Sequence, residues 1–332
     1  MKAMLKKEVS ILSVVFFLIL SAANAGETGP VRLRLEAVDP ADEVQVGITQ
    51  VLTEALGETT GGVVSVEVVQ AQTARSGGET YEALKTGLLD IALLDGVYLE
   101  RDIPEMAVLN QPFFFNAEYQ AARVYSDAAM SLISDKARLQ GVHILAWLEA
   151  GERNILSRKS ISAVDDFLGL RMAIPEAKSL TLTFAALRAA TAPFTTADPG
   201  KAFRDGSVDT IEIGDPMVKI DMEAEGNGLY LNRTRHRFAY VALCMSNRAW
   251  TNIPQELQQR FLDGMKRGGD GAAVILQNHS QQLFSTGVGE TVDFNAAGID
   301  DALIDSRRVL SIGVPPALQN AIEKAVAPFD AQ

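Results

Sequence analysis

The sequence predicts an α/β protein built as two lobes, on three observations. Strand-like and helix-like segments alternate as β-α-β-α-β from Val31 to Leu94, the order that builds a partly parallel sheet. The alternation starts again after Arg153. No low-complexity stretch or fixed-period repeat separates the halves, so several short crossings join them rather than one linker.

Taken in order, Val31–Ala37 alternates apolar and polar residues, as a half-buried strand does. Ala41–Gly57 carries Ile48, Val51, Leu52 and Leu56 at helical spacing, and Gly61-Gly62 breaks the chain before a second strand, Val63–Val69. Glu79–Gly87 reads as a short helix and Asp90–Leu94 as a strand. A longer amphipathic helix is expected over Glu118–Leu139, then a strand over Val142–Glu149. The second series is Arg153–Leu156 and Leu170–Ile174 as strands, Leu180–Ala190 as a helix and Val208–Ile213 as a strand. Phe238–Ser246 is a further strand. Pro254–Phe284 suits one long helix, weakened by Gly264, Gly268, Gly269 and Gly271, and Pro315–Ala325 suits a terminal one.

The chain has 332 residues, 47% of them hydrophobic and 22% charged, which excludes wholesale disorder. Its 30 Lys and Arg against 42 Asp and Glu leave a net charge of −12, which speaks against a nucleic-acid partner. The single cysteine, Cys244, excludes an internal disulfide framework, and three histidines leave little for a metal site. At the N-terminus Lys2, Lys6 and Lys7 precede the apolar run Val9–Leu20 and the small residues Ser21-Ala22-Ala23-Asn24-Ala25. That is the pattern of a secretory signal peptide over residues 1–25, cleaved after Ala25, because the run is too short to span a bilayer. Losing three lysines and one glutamate takes the mature charge to −14, and the expected address is the periplasm.

Catalytic chemistry is hard to assemble. There is no G-x-S-x-G, H-E-x-x-H or C-x-x-C, and the Gly-rich pairs lack the Lys-Ser/Thr of a phosphate loop. His143 lies inside an apolar strand, and Cys244, within Val-Ala-Leu-Cys-Met, reads as a small buried hydrophobe. No enzyme is expected, and no cofactor or metal.

Several stretches in order resemble the periplasmic solute-binding subunit of TRAP transporters, the DctP-like family. Ala83-Leu84-Lys85-Thr86-Gly87-Leu88-Leu89-Asp90-Ile91 resembles its helix ending in G-x-x-D-hydrophobic, and Gln111-Pro112-Phe113-Phe114-Phe115 its Leu-Pro-Phe-x-Phe. Gly151-Glu152-Arg153 with Ser157-Arg158-Lys159-Ser160-Ile161 is similar to G-x-R and the following Ser-x-Lys-x-Ile. Asp165–Pro175 is close to D-(L/F)-x-G-(L/M)-K-x-R-x-P, and Gly206-Ser207-Val208-Asp209 with Glu212 to G-x-V-D-G-x-E-N. Thr234-Arg235-His236 resembles Thr-x-His. The motifs cover roughly residues 30–270.

The resemblance implies the two-lobed periplasmic binding protein fold (Venus-flytrap) with a long helix linking the lobes. Lobe I would take residues 26–150 plus about 237–270, and lobe II 151–236 plus about 271–332. It implies a monomer that closes on a small organic acid or polar solute and delivers it to TRAP membrane subunits. The alternative is a sensory protein of the same fold. Arginine forks carry carboxylate recognition in such a family. Here Ala173 stands where the family keeps its main carboxylate-binding arginine, and Ile213 stands at its terminal Asn. Arg153 is retained and is the leading ligand-binding candidate, with a structural ion pair as the alternative. Arg171, two residues before Ala173 on the same strand face, and Arg235 are further candidates. Asp95 follows a strand at the end where α/β ligands sit. Glu149, Trp147 and Glu212 complete the set, Trp147 with a core role and Glu212 with a positioning role as alternatives. One arginine fewer and several carboxylates more point away from a plain dicarboxylate.

Overall fold

The computed structural model describes residues 29–37, 43–70, 75–193, 199–214, 228–282 and 289–327; the expected signal peptide and its cleavage site lie outside them. In chain order the elements are β1 (Val31–Ala37), α1 (Glu43–Thr60), β2 (Val64–Gln70), α2 (Gly77–Lys85), β3 (Ile91–Asp95), α3 (Met106–Leu109), α4 (Glu118–Tyr125), α5 (Met130–Leu139) and β4 (Val142–Ser157). There follow β5 (Arg171–Ile174), α6 (Lys178–Ala186), β6 (Ala190–Pro193), α7 (Pro199–Arg204), β7 (Thr210–Ile213) and β8 (Tyr230–Ser246). Then come α8 (Asn247–Thr251), α9 (Gln258–Gln282), β9 (Glu290–Asp293), α10 (Ile299–Leu310) and α11 (Pro316–Val326). Among the described residues no helix is long and apolar enough to cross a membrane.

The fold is a two-lobed α/β architecture on one mixed sheet of order β2-β1-β3-β8-β4-β7-β5-β6, with β9 beside β8. Parallel pairs β1–β2 and β1–β3 build the first lobe, and parallel pairs β5–β6 and β5–β7 the second. The long strands β4 and β8, antiparallel to each other, run through both. Helices cover both faces of each part. Tyr81, Leu84, Leu109 and Ile133 fill one side of the first lobe, and Leu33, Ile48, Leu52 and Phe261 the other. Phe167, Leu180 and Phe184 lie on one side of the second, with Phe203, Ile211 and Leu231 opposite.

Several expectations are corrected. Glu118–Leu139 is two helices, because Asp127 Oδ1 accepts the Ala129 N–H at 2.8 Å and diverts the chain after Tyr125. The separate segments 142–149 and 153–156 are one strand, interrupted at Gly151 (φ 75°), where β4 inserts one extra residue against β8. Strand β8 begins eight residues before the expected Phe238, because its polar start pairs with β4 and β9. The last helix, assigned with 271–332 to the second lobe, instead packs Leu318, Ala321 and Ile322 into the first-lobe cluster with Ala121 and Tyr125.

The glycines that weaken α9 on propensity grounds have a packing reason. Gly264, Gly268 and Gly271 recur on one helix face and let α9 lie directly on α1. A Cβ at Gly268 would stand 3.0 Å from Leu52 Cα and 3.2 Å from the Val51 carbonyl oxygen, both backbone atoms that cannot swing away. Gly269 lies against the side chains of Leu148 and Ala146 of β4. We expect Gly268→Val to destabilise the chain by about 1–3 kcal/mol through this overpacking, read as a lower urea midpoint at unchanged slope.

Candidate functional site

The strand directions locate a gap between the lobes. β3 is antiparallel to β8, β8 to β4 and β4 to β7, so β3 and β7 run in opposite senses. Asp95 at the C-terminal end of β3 is level with Leu148 of β4 through Val241, and Ile213 at the C-terminal end of β7 pairs with Asn154. The two strand ends therefore point at each other across the stretch Glu149–Arg153. In open α/β sheets ligands sit beyond the C-terminal ends of strands, and here the two ends share one space.

That space is bridged by a buried charge network. Arg153 and Arg237 are register partners on β4 and β8, and Arg153 is fully buried. Arg153 Nη2 donates to Asp95 Oδ2 at 2.7 Å, while its Nη1 donates to the Gly214 carbonyl at the end of β7. Arg237 donates from Nη1 to Asp95 Oδ1 at 2.8 Å, and from Nη2 to Asp95 Oδ2 at 3.0 Å and Glu212 Oε1 at 3.1 Å. His236 Nε2 lies 3.2 Å from the same Glu212 oxygen, and its Nδ1 lies 2.8 Å from Thr234 Oγ1. Two guanidinium groups thus face two carboxylates, one from the end of each lobe's strand.

Burial alone would raise the Asp95 carboxyl, yet the Arg237 and Arg153 charges hold it well below the usual carboxylate range. Glu212 is likewise held down against its burial, by Arg237 and His236. Burial lowers the His236 imidazole, more than Glu212 raises it, so the ring is neutral at pH 7 and the four charges sum to zero. A second bridge lies beside the first. Glu100, just after β3, accepts from the Ser179 N–H at 2.9 Å and from its Oγ at 2.5 Å, capping α6, which has no side-chain cap of its own. Burial raises the Glu100 carboxyl against the pull of those hydrogen bonds.

Of the residues singled out from the sequence, Asp95, Arg153 and Glu212 therefore meet in one place. Ala173, at the position of the missing arginine, lies in the apolar cluster with Phe203, Ile211 and Ile213. Arg171 is at the opposite end of β5, where it forms a half-exposed pair with Asp209 at 3.2 Å and does not approach Arg153. Arg235 lines a different cavity, of about 340 Å³, with Glu118, Glu152, Arg233, Gln277 and Gln281, and Glu149 interacts with two of these, Glu118 and Gln277. Glu152 precedes Arg153 in the strand and so faces the other side of the β4–β8 ribbon. Arg235 sits at a left-handed φ of 43° in a β8 bulge, its N–H bound by Asn154 Oδ1 at 2.9 Å and its Nε 3.1 Å from Glu152. Trp147 packs edge-on against Tyr125 at 5.1 Å in the first-lobe core. Sequence reasoning missed Arg237, Glu100 and Ser179. Arg237 carried a signal: it is a charged residue opening the apolar run Phe238–Met245.

A family model, DctP, bacterial extracellular solute-binding protein family 7, matches residues 36–294. The chain belongs to this family. That family is one of extracellular solute-binding proteins. The chain is 27% identical over 208 residues to y4mM of Sinorhizobium fredii, covering 62% of this chain but only 38% of that protein. To the C4-dicarboxylate-binding periplasmic protein DctP of Rhodobacter capsulatus it is 23% identical over 225 residues, 67% of each. A solved TRAP solute-binding protein from a Sulfitobacter species, with bound β-D-galacturonate, superposes with a TM-score of 0.76 at 18% identity, covering 88% of this chain and 98% of that one.

Within this solute-binding protein the Glu149 carboxyl is pushed up to about 7, by burial first and then by hydrogen bonding and repulsion from Glu118 on α4. Between its ordinary value of 4.5 and about 7 the folded chain holds a proton that the unfolded chain has released, so stability falls as pH rises through that window. Glu149→Gln has no such proton to lose. The wild-type melting temperature should drop relative to this variant from about pH 5 to pH 8, and equal slopes would contradict the shared-proton contact.

Proposed function

We propose that the chain captures a small polar solute that carries no arginine-bound carboxylate, and delivers it to TRAP membrane subunits. The observation that carries this reading is the self-neutralised network between the strand ends. Both guanidinium forks there are already matched by Asp95 and Glu212, and Ala173 supplies no third fork. A further carboxylate would enter as an unpaired buried charge, a costly state. A neutral hydroxyl or carbonyl oxygen would not, and Arg153 Nε, Arg237 Nε and Asn154 Nδ2 are buried N–H donors without an acceptor among the described residues.

The Gly151 bulge in β4 and the Arg235 bulge in β8 are the natural hinge, since both long strands change register there. Solute bridging the two strand ends would favour the closed form by its differential affinity for it. The mature subunit in this reading starts after Ala25, and it works as a monomer.

A thermal-shift screen of the mature chain tests the proposal, with four-carbon dicarboxylates, sugar acids, polyols, sugars and amines as separate sets. A ligand held at about 100 times its dissociation constant adds about 2.7 kcal/mol to stability, enough to read clearly. The expected hits are neutral or amine solutes. Tight binding of succinate or malate would overturn the proposal.

A further inference from the structure

We propose that Asp95 is a specificity-determining residue: a resident carboxylate that occupies the arginine fork and thereby excludes carboxylate solutes. The inference rests on the reading above that solute enters between the ends of β3 and β7. It adds which residue sets the solute class and how.

The coordination of Asp95 is what a bound carboxylate would receive. Three guanidinium N–H groups approach its two oxygens at 2.7, 2.8 and 3.0 Å, and the Val97 N–H adds a fourth bond to Oδ1 at 3.1 Å. The Arg237 contact is bidentate, fork to carboxylate, the geometry by which arginine recognises this group. Asp95 is held there by its own turn, because the Val97 bond caps the short 3-10 segment Gly96–Leu99. An internal group already in place competes with any free carboxylate at a very high effective concentration. Glu212 cannot do the same, since it meets Arg237 alone and also binds His236.

Charge balance gives the consequence. Without Asp95, Arg153 and Arg237 would face only Glu212, leaving one uncompensated positive charge and three unpartnered N–H groups in a buried space. A small monocarboxylate restores both the charge and the bonds.

The experiment compares wild type with Asp95→Ala and Asp95→Ser by thermal shift and calorimetry, with formate, acetate and propionate as probes. Acetamide and chloride at matched ionic strength are the controls. Asp95→Ser keeps an oxygen for the Val97 N–H, so it retains the turn if the alanine variant does not fold. Wild type should give no shift with any probe. The variants should melt lower and recover in a saturable way with carboxylates, binding acetate about tenfold or more tighter than wild type. A folded variant that ignores carboxylates, or a wild type stabilised by them as much as the variants, overturns the proposal. If neither variant folds in chloride, folding in acetate supports it and failure there too overturns it. Acetate binding by a variant, with a wild type that answers to no solute of the broad screen, supports the Asp95 role while sinking the proposed solute class.

Discussion

The contact of two buried arginines with two buried carboxylates is the constraint around which the rest of the molecule is arranged. Asp95 and Glu212 end strands of different lobes, while Arg153 and Arg237 belong to the two strands that traverse both. Taking four charges out of water is expensive, and such a cluster persists only when every partner is in place. Removing one member leaves an uncompensated charge that costs about 3–5 kcal/mol, so the network disciplines the lobes as a set. That explains two of the three register shifts between β4 and β8, the two that flank Arg153. The Gly151 bulge and the three-residue excess around Arg235 shift the register so that Arg153 and Arg237 lie opposite each other. A regular pairing from Glu149 to Ser157 would not bring them level.

The same logic separates the two polar regions of the ribbon. Alternation puts Arg153 on one face and Glu152 on the other, so two neighbouring residues feed two unlike environments. On the Arg153 face the charges are buried and matched. On the Glu152 face the ion pair with Arg235 is solvent-screened, and such pairs contribute little to stability. The carboxyl pair Glu118–Glu149 nevertheless ties α4 to β4 at this point, and Gln277 of α9 bonds to it. Three elements of the first lobe thus meet beside the bulge where the strands cross to the second.

Much of the fold was legible because its strongest signals are local. Val31–Ala37 has the strand period, and β1 covers that span. The opening β-α-β-α-β order emerged because each apolar run is bounded by Gly or polar breaks. What was hidden depends on distant partners. Glu118–Leu139 has one helical pattern throughout, and only the Asp127 side-chain bond divides it. A strand read from Phe238 leaves out Tyr230–Arg237, because the groups that order that stretch, Glu212, Asn154 and Asp95, come from three other places in the chain. The site was legible in part. Asp95, Arg153 and Glu212 were identified singly, but no spacing in one sequence says that they touch. Arg171 shows the limit of face alternation: it shares a strand face with Ala173, yet β5 begins at Arg171 and the side chain turns to Asp209 at the rim.

A matched network is a different recognition device from an open fork. An open arginine fork gains by supplying charge to a solute that brings the opposite sign, and its selectivity is for that sign. Once Asp95 fills the fork, the remaining capacity of the site lies in N–H groups pointing away from the carboxylate, such as Arg153 Nε and Arg237 Nε. These discriminate through the cost of leaving a buried donor unpaired, about 1–3 kcal/mol each, rather than through charge. A solute oxygen placed at two such donors at once would satisfy both without disturbing the neutrality of the four charges. In the proposed reading, selection would then follow the position of hydroxyl or carbonyl oxygens on the solute. Salt would weaken such binding little, because no net charge is screened when it forms.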